Sequence, residues 1–181
     1  SGITDPSSLC LRVARDFPGI AENASRVNGS ILILGKPGSG KTTLLRDLIR
    51  QKSEKGDSCI AVVDERGELF PKIQGENCFS PGRHTDILTG CSKTQGINAV
   101  LRNMNPSIIA VDEITAQEDC NALIHAGWCG VKFLATVHAG SRSDLYSRPI
   151  YKPIIKSGLF DTLLILQPNK SWRMERMDLW D

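Results

Sequence analysis

Eight consecutive residues constrain this chain more than any other feature. Gly35-Lys36-Pro37-Gly38-Ser39-Gly40-Lys41-Thr42 fits G-x-x-x-x-G-K-[ST], the phosphate-binding P-loop, without a mismatch. Ahead of it, Ile31-Leu32-Ile33-Leu34 is a short apolar run that reads as a buried strand. Behind it, Leu44, Leu45, Leu48 and Ile49 fall on one face of a helix, with Gly56 available to end it. A strand, a glycine loop and a helix start are the parts a phosphate site needs. Glycines let backbone N–H groups turn inward around an anion, and the helix amino terminus adds its positive dipole. In that frame Lys41 brings a point charge to the β- and γ-phosphates and the Thr42 hydroxyl is placed to ligate Mg²⁺, with Thr43 completing the cradle. The expectation is a nucleoside triphosphate site.

A chain of 181 residues suits one domain with a core that needs no disulfides. Its net charge of +2, with both signs interspersed, makes no case for nucleic acid. Aromatic residues are few and no basic stripe interleaves with them, which argues the same way. One asymmetry exists: seven basic residues against three acidic ones between Arg142 and Arg176, read as a solvated face or as a surface for a partner or membrane. The six cysteines form no C-x-x-C pair and no zinc-finger spacing, so reduced thiols are the economical reading. No apolar run approaches membrane-spanning length, and no signal peptide opens the chain.

Further along, strands alternate with helices. Residues 1–29 form a lead-in with a strand over 8–14, and 30–181 form the P-loop domain. Cys59–Val63 is a second buried strand, running into Asp64-Glu65-Arg66-Gly67-Glu68. Residues 70–94, rich in Pro, Gly, Ser and Thr, are expected to form one long loop. Ile97, Val100, Leu101 and Met104 mark a helix ended by Asn105-Pro106, and Ile108–Val111 is a third strand closed by Asp112-Glu113. Thr115-Ala116-Gln117-Glu118 reads as a capping box for a helix that stops at Gly127. Val131–Val137 is a fourth strand ending at His138, and a short helix runs to Gly158. Leu163–Leu166 is a fifth, and Trp172–Trp180 an antiparallel edge strand with a phase slip near Glu175-Arg176. This alternation predicts an α/β fold of RecA-like P-loop type, mostly parallel, with chemistry at the carboxyl ends of the strands.

Polar residues do follow the apolar strands. Asp112-Glu113 after four apolar residues is the Walker B pattern: Asp112 supports Mg²⁺ and Glu113 polarises the water in line with the γ-phosphate. An acidic pair at a helix start is the plainer alternative. His138 either senses the γ-phosphate or is structural. Asp64, Glu65 and Glu68 are an acidic cluster or a solvated turn, and Glu118 a cap residue. Arg83 is the candidate charge donor to phosphate, in its own or a neighbouring subunit, with Arg66 and Arg102 as competitors.

The order Leu101-Arg102, Pro106, Asp112-Glu113-Ile114, Glu118, Ala126-Gly127, Thr136-Val137-His138 resembles the type II and type IV secretion ATPases. Asp64-Glu65 sits where those proteins carry an aspartate box. Val62–Glu68, Gly82–Leu88, Ala110–Ile114, Thr136–Gly140 and Arg148-Pro149 are similar, more closely, to the stage III sporulation AA family, across residues 30–166. The resemblance implies a cytoplasmic ATPase using ATP and Mg²⁺, working as a hexameric homo-oligomer. It implies a peripheral position on the mother-cell side of the forespore membrane, where such an ATPase energises membrane-embedded channel proteins. The separate amino-terminal domain of those relatives has no counterpart in residues 1–29, and His84 departs from the family pattern. Two other readings stay open: an ATPase acting on single-stranded nucleic acid, and a nucleotide-gated assembly module with little turnover.

Overall fold

A computed structural model describes residues 7–8, 13–56 and 58–177. In chain order the elements are α1 (Glu22–Ser25), β1 (Ile31–Leu34), α2 (Lys41–Lys55), β2 (Ile60–Asp64), β3 (Lys72–Ile73), β4 (Glu76–Asn77), β5 (Thr85–Thr89) and α3 (Lys93–Asn103). They continue as β6 (Ile108–Val111), α4 (Gln117–Trp128), β7 (Lys132–Val137), α5 (Arg142–Ser147), a 3₁₀ turn (Pro149–Tyr151), α6 (Lys152–Lys156), β8 (Thr162–Leu166) and β9 (Trp172–Arg176). Seven strands form one sheet in the order β5-β2-β6-β7-β1-β8-β9. Among the described residues of this sheet, only β9 runs antiparallel to its neighbour; the other pairings are parallel.

Side-chain alternation divides the core into two halves. Ile31, Ile33, Ile60, Val62, Ala110, Leu134 and Leu164 face α1 and α2, where Leu44, Leu45, Leu48 and Ile49 cover them. Their strand neighbours Leu32, Leu34, Ala61, Val63, Ile109, Val111, Ala135 and Leu163 face the other way, toward α3, α4 and α6. The central strands are therefore buried on both faces, as parallel sheets require, and read as continuous apolar runs. The domain is a three-layer α/β/α sandwich.

Several expectations are corrected. Residues 70–94 are not one loop: they hold the β3–β4 hairpin and β5, which pairs with β2 from Ile60↔Thr85 to Asp64↔Thr89. β5 is an edge strand, half-exposed along its length, so its sequence lacks the apolar run that marks the central strands. The start of α4 is secured by Asp119, whose carboxylate accepts from the backbone N–H groups of Thr115 and Ala116, rather than by a Thr115–Glu118 box. That helix runs through Gly127 to Trp128 and stops ahead of Gly130, whose φ of +82° is the left-handed geometry a helix end favours. Gly127 is small for packing: a Cβ there would meet Leu159 at 2.3 Å. β9 pairs without a slip from Trp172 to Arg176. The strand expected over 8–14 falls mostly outside the described residues, and none of residues 8, 13 or 14 is in a strand.

Candidate nucleotide site

The P-loop leaves the carboxyl end of β1 and enters α2 at Lys41. Gly38 and Gly40 have φ of +71° and +107°, which side chains resist. Gly35 is buried for a different reason: a Cβ there would come within 2.3 Å of Ser39 Oγ and 3.0 Å of Lys41 Cγ. Ser39 Oγ is itself buried with no hydrogen-bond partner, an orphan donor inside the loop. Lys36 and Pro37 are exposed at the loop crown, and Thr42 and Thr43 are half-buried at the first turn of α2. A buried unmatched hydroxyl inside a glycine cradle at a helix amino terminus is what an oxyanion would satisfy.

Across the sheet, β7 lies between β1 and β6, so the P-loop and Asp112-Glu113 are joined through a third strand. Asp112 has both oxygens bound. Thr42 Oγ1 of the P-loop donates to Oδ2 at 2.9 Å, and Thr136 Oγ1 of β7 donates to Oδ1 at 2.7 Å. The same Thr136 oxygen accepts the Glu113 N–H at 2.9 Å, while the Thr136 carbonyl accepts the Ile114 N–H at 2.9 Å. Ile114 is held from the other side by Tyr151, whose hydroxyl donates to its carbonyl and whose pKa is raised, chiefly by burial. These anchors fix Glu113 at φ +52°, a backbone region that glutamate enters only when its surroundings over-determine it.

Glu113 is then aimed by His138. Lys41 Nζ lies 3.1 Å from His138 Nδ1, and His138 Nε2 lies 2.5 Å from Glu113 Oε1. An ammonium can only donate, so His138 Nδ1 accepts and the ring proton sits on Nε2, pointing at the glutamate. Lys41 also donates to the Lys36 carbonyl at 3.1 Å and is buried. Lysine, histidine and glutamate thus form one hydrogen-bonded line from the P-loop to the end of β6.

The other sequence candidates separate into two groups. Asp64, Glu65, Arg66 and Glu68 line a cavity of about 40 Å³ together with Lys93, Asp112 and Glu113, room for a water or two. Within it, Asp64 is buried and accepts the N–H groups of Glu68, Leu69 and Phe70 at 2.9–3.0 Å, so it staples the turn after β2. Glu65 pairs with Lys93 at 2.6 Å, and Arg66 is exposed at the rim. Arg83 and Glu118 are not brought to the P-loop. Arg83 precedes β5, at the amino edge of the sheet, and pairs with Glu54 near the far end of α2, about 20 Å along that helix from Lys41. Within one chain it cannot donate charge to a phosphate held at the carboxyl edge. Glu118 is exposed on the first turn of α4 and does not serve as the cap.

Sequence reasoning gave Thr136 no role of its own. Beyond its place beside His138, its signal is a hydroxyl among the otherwise apolar buried residues of β7, which β-propensity explains equally well. Lys170 was also passed over. It reaches from the β8–β9 turn to donate to the Gly38 carbonyl at 2.7 Å.

Residues 5–174 match the family described as sporulation stage III, protein AA. The chain belongs to that family. Stage III sporulation protein AA of Bacillus subtilis (strain 168) is 37% identical over 180 residues, covering 93% of this chain and 58% of that protein. The chain therefore spans a little over half of this relative's length. Among solved structures, the Legionella pneumophila ATPase DotB superposes with a TM-score of 0.59 at 20% identity, covering 88% of this chain and 47% of that one. The pilus retraction motor PilT, solved with bound ADP, superposes with a TM-score of 0.61 at 14% identity over 92% of this chain and 53% of that one. At such identities the likeness establishes the fold, so this family member is RecA-like in architecture. No helix among the described residues is long and apolar enough to cross a membrane.

Proposed function

We propose that this domain is a Mg²⁺-dependent ATPase of the secretion-motor type. The observation that carries the reading is Asp112, bridged between Thr42 of the P-loop and Thr136 of β7, with Glu113, His138 and Lys41 in one line beside it. A hydroxyl and a carboxylate oxygen 2.9 Å apart are the hard donors Mg²⁺ selects, so Thr42 and Asp112 would hold it. When bound, the ion neutralises charge on the β- and γ-phosphate oxygens.

The chain's own residues supply the rest. Gly35–Thr43 present amides, the Ser39 hydroxyl and the Lys41 ammonium to the phosphates. Glu113 aims water at the γ-phosphorus and accepts its proton as the bond to the ADP oxygen breaks. His138 couples the two halves, because its ring joins the lysine that meets the phosphate to the glutamate that meets the water. The ADP held by PilT supports the choice of ligand by analogy of fold. Family membership supports the wider proposal: a hexameric ring, peripheral to a membrane on the mother-cell side of the forespore, energising a channel of membrane-embedded proteins.

The test is equilibrium binding of Mg-ATP together with phosphate release. Wild type should bind and turn over, while Lys41→Ala loses binding and turnover together. A Lys41→Ala chain that binds ATP like wild type would remove the P-loop from the account. Binding without measurable release in wild type would move the domain to a nucleotide-gated module, and stimulation by single-stranded DNA would favour a nucleic-acid motor.

A further inference from the structure

The P-loop shares the lining of an open cleft of about 1500 Å³ with a set of apolar side chains. This apolar wall is built from two segments far apart in sequence: Phe17 and Ile20, ahead of α1, and Trp172 and Met174, on β9. Trp172 and Met174 are two residues apart on one strand and so share a face. Three of the four side chains are solvent-exposed, Phe17 at 49%, Ile20 at 38% and Met174 at 42%. Exposed large apolar groups gathered in a concave site, rather than scattered over a convex surface, mark a place where something flat and apolar sits.

The wall is fixed in position. Trp172 Nε1 donates to the Ile20 carbonyl at 3.0 Å, locking the two segments together. The carboxylate of Asp47 on α2 accepts the N–H groups of Gly19 and Ala21 at 3.1 and 2.8 Å, and Arg46 Nη1 donates to the Arg15 carbonyl at 2.9 Å. Both anchoring residues stand on the helix whose first turn carries Lys41 and Thr42. From the β9 side, Lys170 grips the Gly38 carbonyl. The apolar wall and the phosphate loop are thus two parts of one site, held in register by α2 and by the β8–β9 turn.

We propose that Phe17, Ile20, Trp172 and Met174 form the base subsite of the nucleotide, taking the flat face of its heterocycle while the phosphates lie in the P-loop. The assignment rests on the reading of Gly35–Thr43 as a triphosphate cradle. A nucleobase fits the chemistry of the wall because it presents two apolar π-faces and a polar edge. Asn23 is the one side-chain amide among the described residues lining the cleft, and an amide can both donate to and accept from that edge. The lead-in segment is therefore part of the ligand site.

The proposal is tested by isothermal titration of Mg-ATP and of Mg-tripolyphosphate, which carries phosphates and no base, against the wild-type chain and a Phe17→Ala/Met174→Ala double variant. Both substituted side chains are exposed, so the fold tolerates their loss. Wild type should prefer ATP by about tenfold or more, the scale of stacking on aromatic walls. The double variant should lose most of that preference and keep its tripolyphosphate affinity. A variant that binds ATP as wild type does would overturn the assignment and leave the patch to a protein surface. Parallel loss of both ligands, or a wild type indifferent to the base, would overturn it too. A wild type that binds neither ligand would instead bring down the triphosphate cradle on which the subsite depends.

Discussion

Thr136→Val removes one oxygen and keeps the shape of the side chain. Thr136 is fully buried, and its hydroxyl donates to Asp112 and accepts from the Glu113 amide. Valine leaves a backbone N–H without its acceptor, at about 1–3 kcal/mol, and takes a charge-assisted bond from the carboxylate, at about 1.5–3 kcal/mol. Asp112 and Glu113 are both partly open to water, which offsets some of this, so a net loss of roughly 2–4 kcal/mol is expected. In a chain of this size each kcal/mol lowers the melting temperature by about 2–4 °C, giving a fall of roughly 4–16 °C. Thr136→Ser keeps the hydroxyl and removes one buried methyl, at about 1 kcal/mol. Thermal unfolding of the three proteins should rank them wild type, serine, valine. If methyl packing were what mattered at this position, valine would outrank serine. That order, or a valine variant melting within a degree of wild type, would refute the reasoning. Phosphate release should follow the same ranking, since without this anchor Glu113 is free to leave its left-handed backbone conformation.

Two further outcomes follow from the site's surroundings. Asp64→Asn replaces two carboxylate oxygens that accept three backbone N–H groups with a single carbonyl. It should melt about 3–12 °C lower while nucleotide affinity changes less than about twofold; weaker binding at unchanged stability would instead give Asp64 a part in the chemistry. Among the described cysteines, Cys78 and Cys129 are exposed, whereas Cys120 is buried, with its thiol pushed up to about 11 mainly by burial. At pH 8, iodoacetamide should modify Cys78 and Cys129 first. Cys120 should react only as the pH nears 11 or the chain unfolds, which peptide mapping by mass spectrometry would resolve.

The strand–P-loop–helix unit and Ile108–Val111 were legible because central parallel strands are apolar on both faces and the cradle needs glycines at fixed spacing. β5 was not legible, since Thr85-Asp86-Ile87-Leu88-Thr89 covers an edge and carries only two apolar side chains. The place of β7 between β1 and β6 is a matter of long-range pairing that local patterns do not record, and it is what turns Thr136 into the anchor of Asp112 and Glu113. The parts played by Asp64 and Glu118 stay ambiguous in the sequence, because acidic residues at strand ends and helix starts serve sites, turns and caps equally well. Only the coordinates show Asp64 holding three amides and Asp119, not Glu118, securing α4. The lead-in was opaque for a related reason: Phe17 and Ile20 acquire meaning only beside Trp172, some 152 residues away from Ile20 in the chain.

Glu113→Gln tests the central claim most directly, because it changes one oxygen at the end of the Lys41–His138–Glu113 line and leaves the P-loop untouched. Mg-ATP affinity and the single-turnover rate of phosphate release should be measured side by side. The account predicts affinity within about threefold of wild type and hydrolysis slowed at least a hundredfold, roughly the contribution of a positioned base. Hydrolysis at the wild-type rate by the glutamine variant would contradict it.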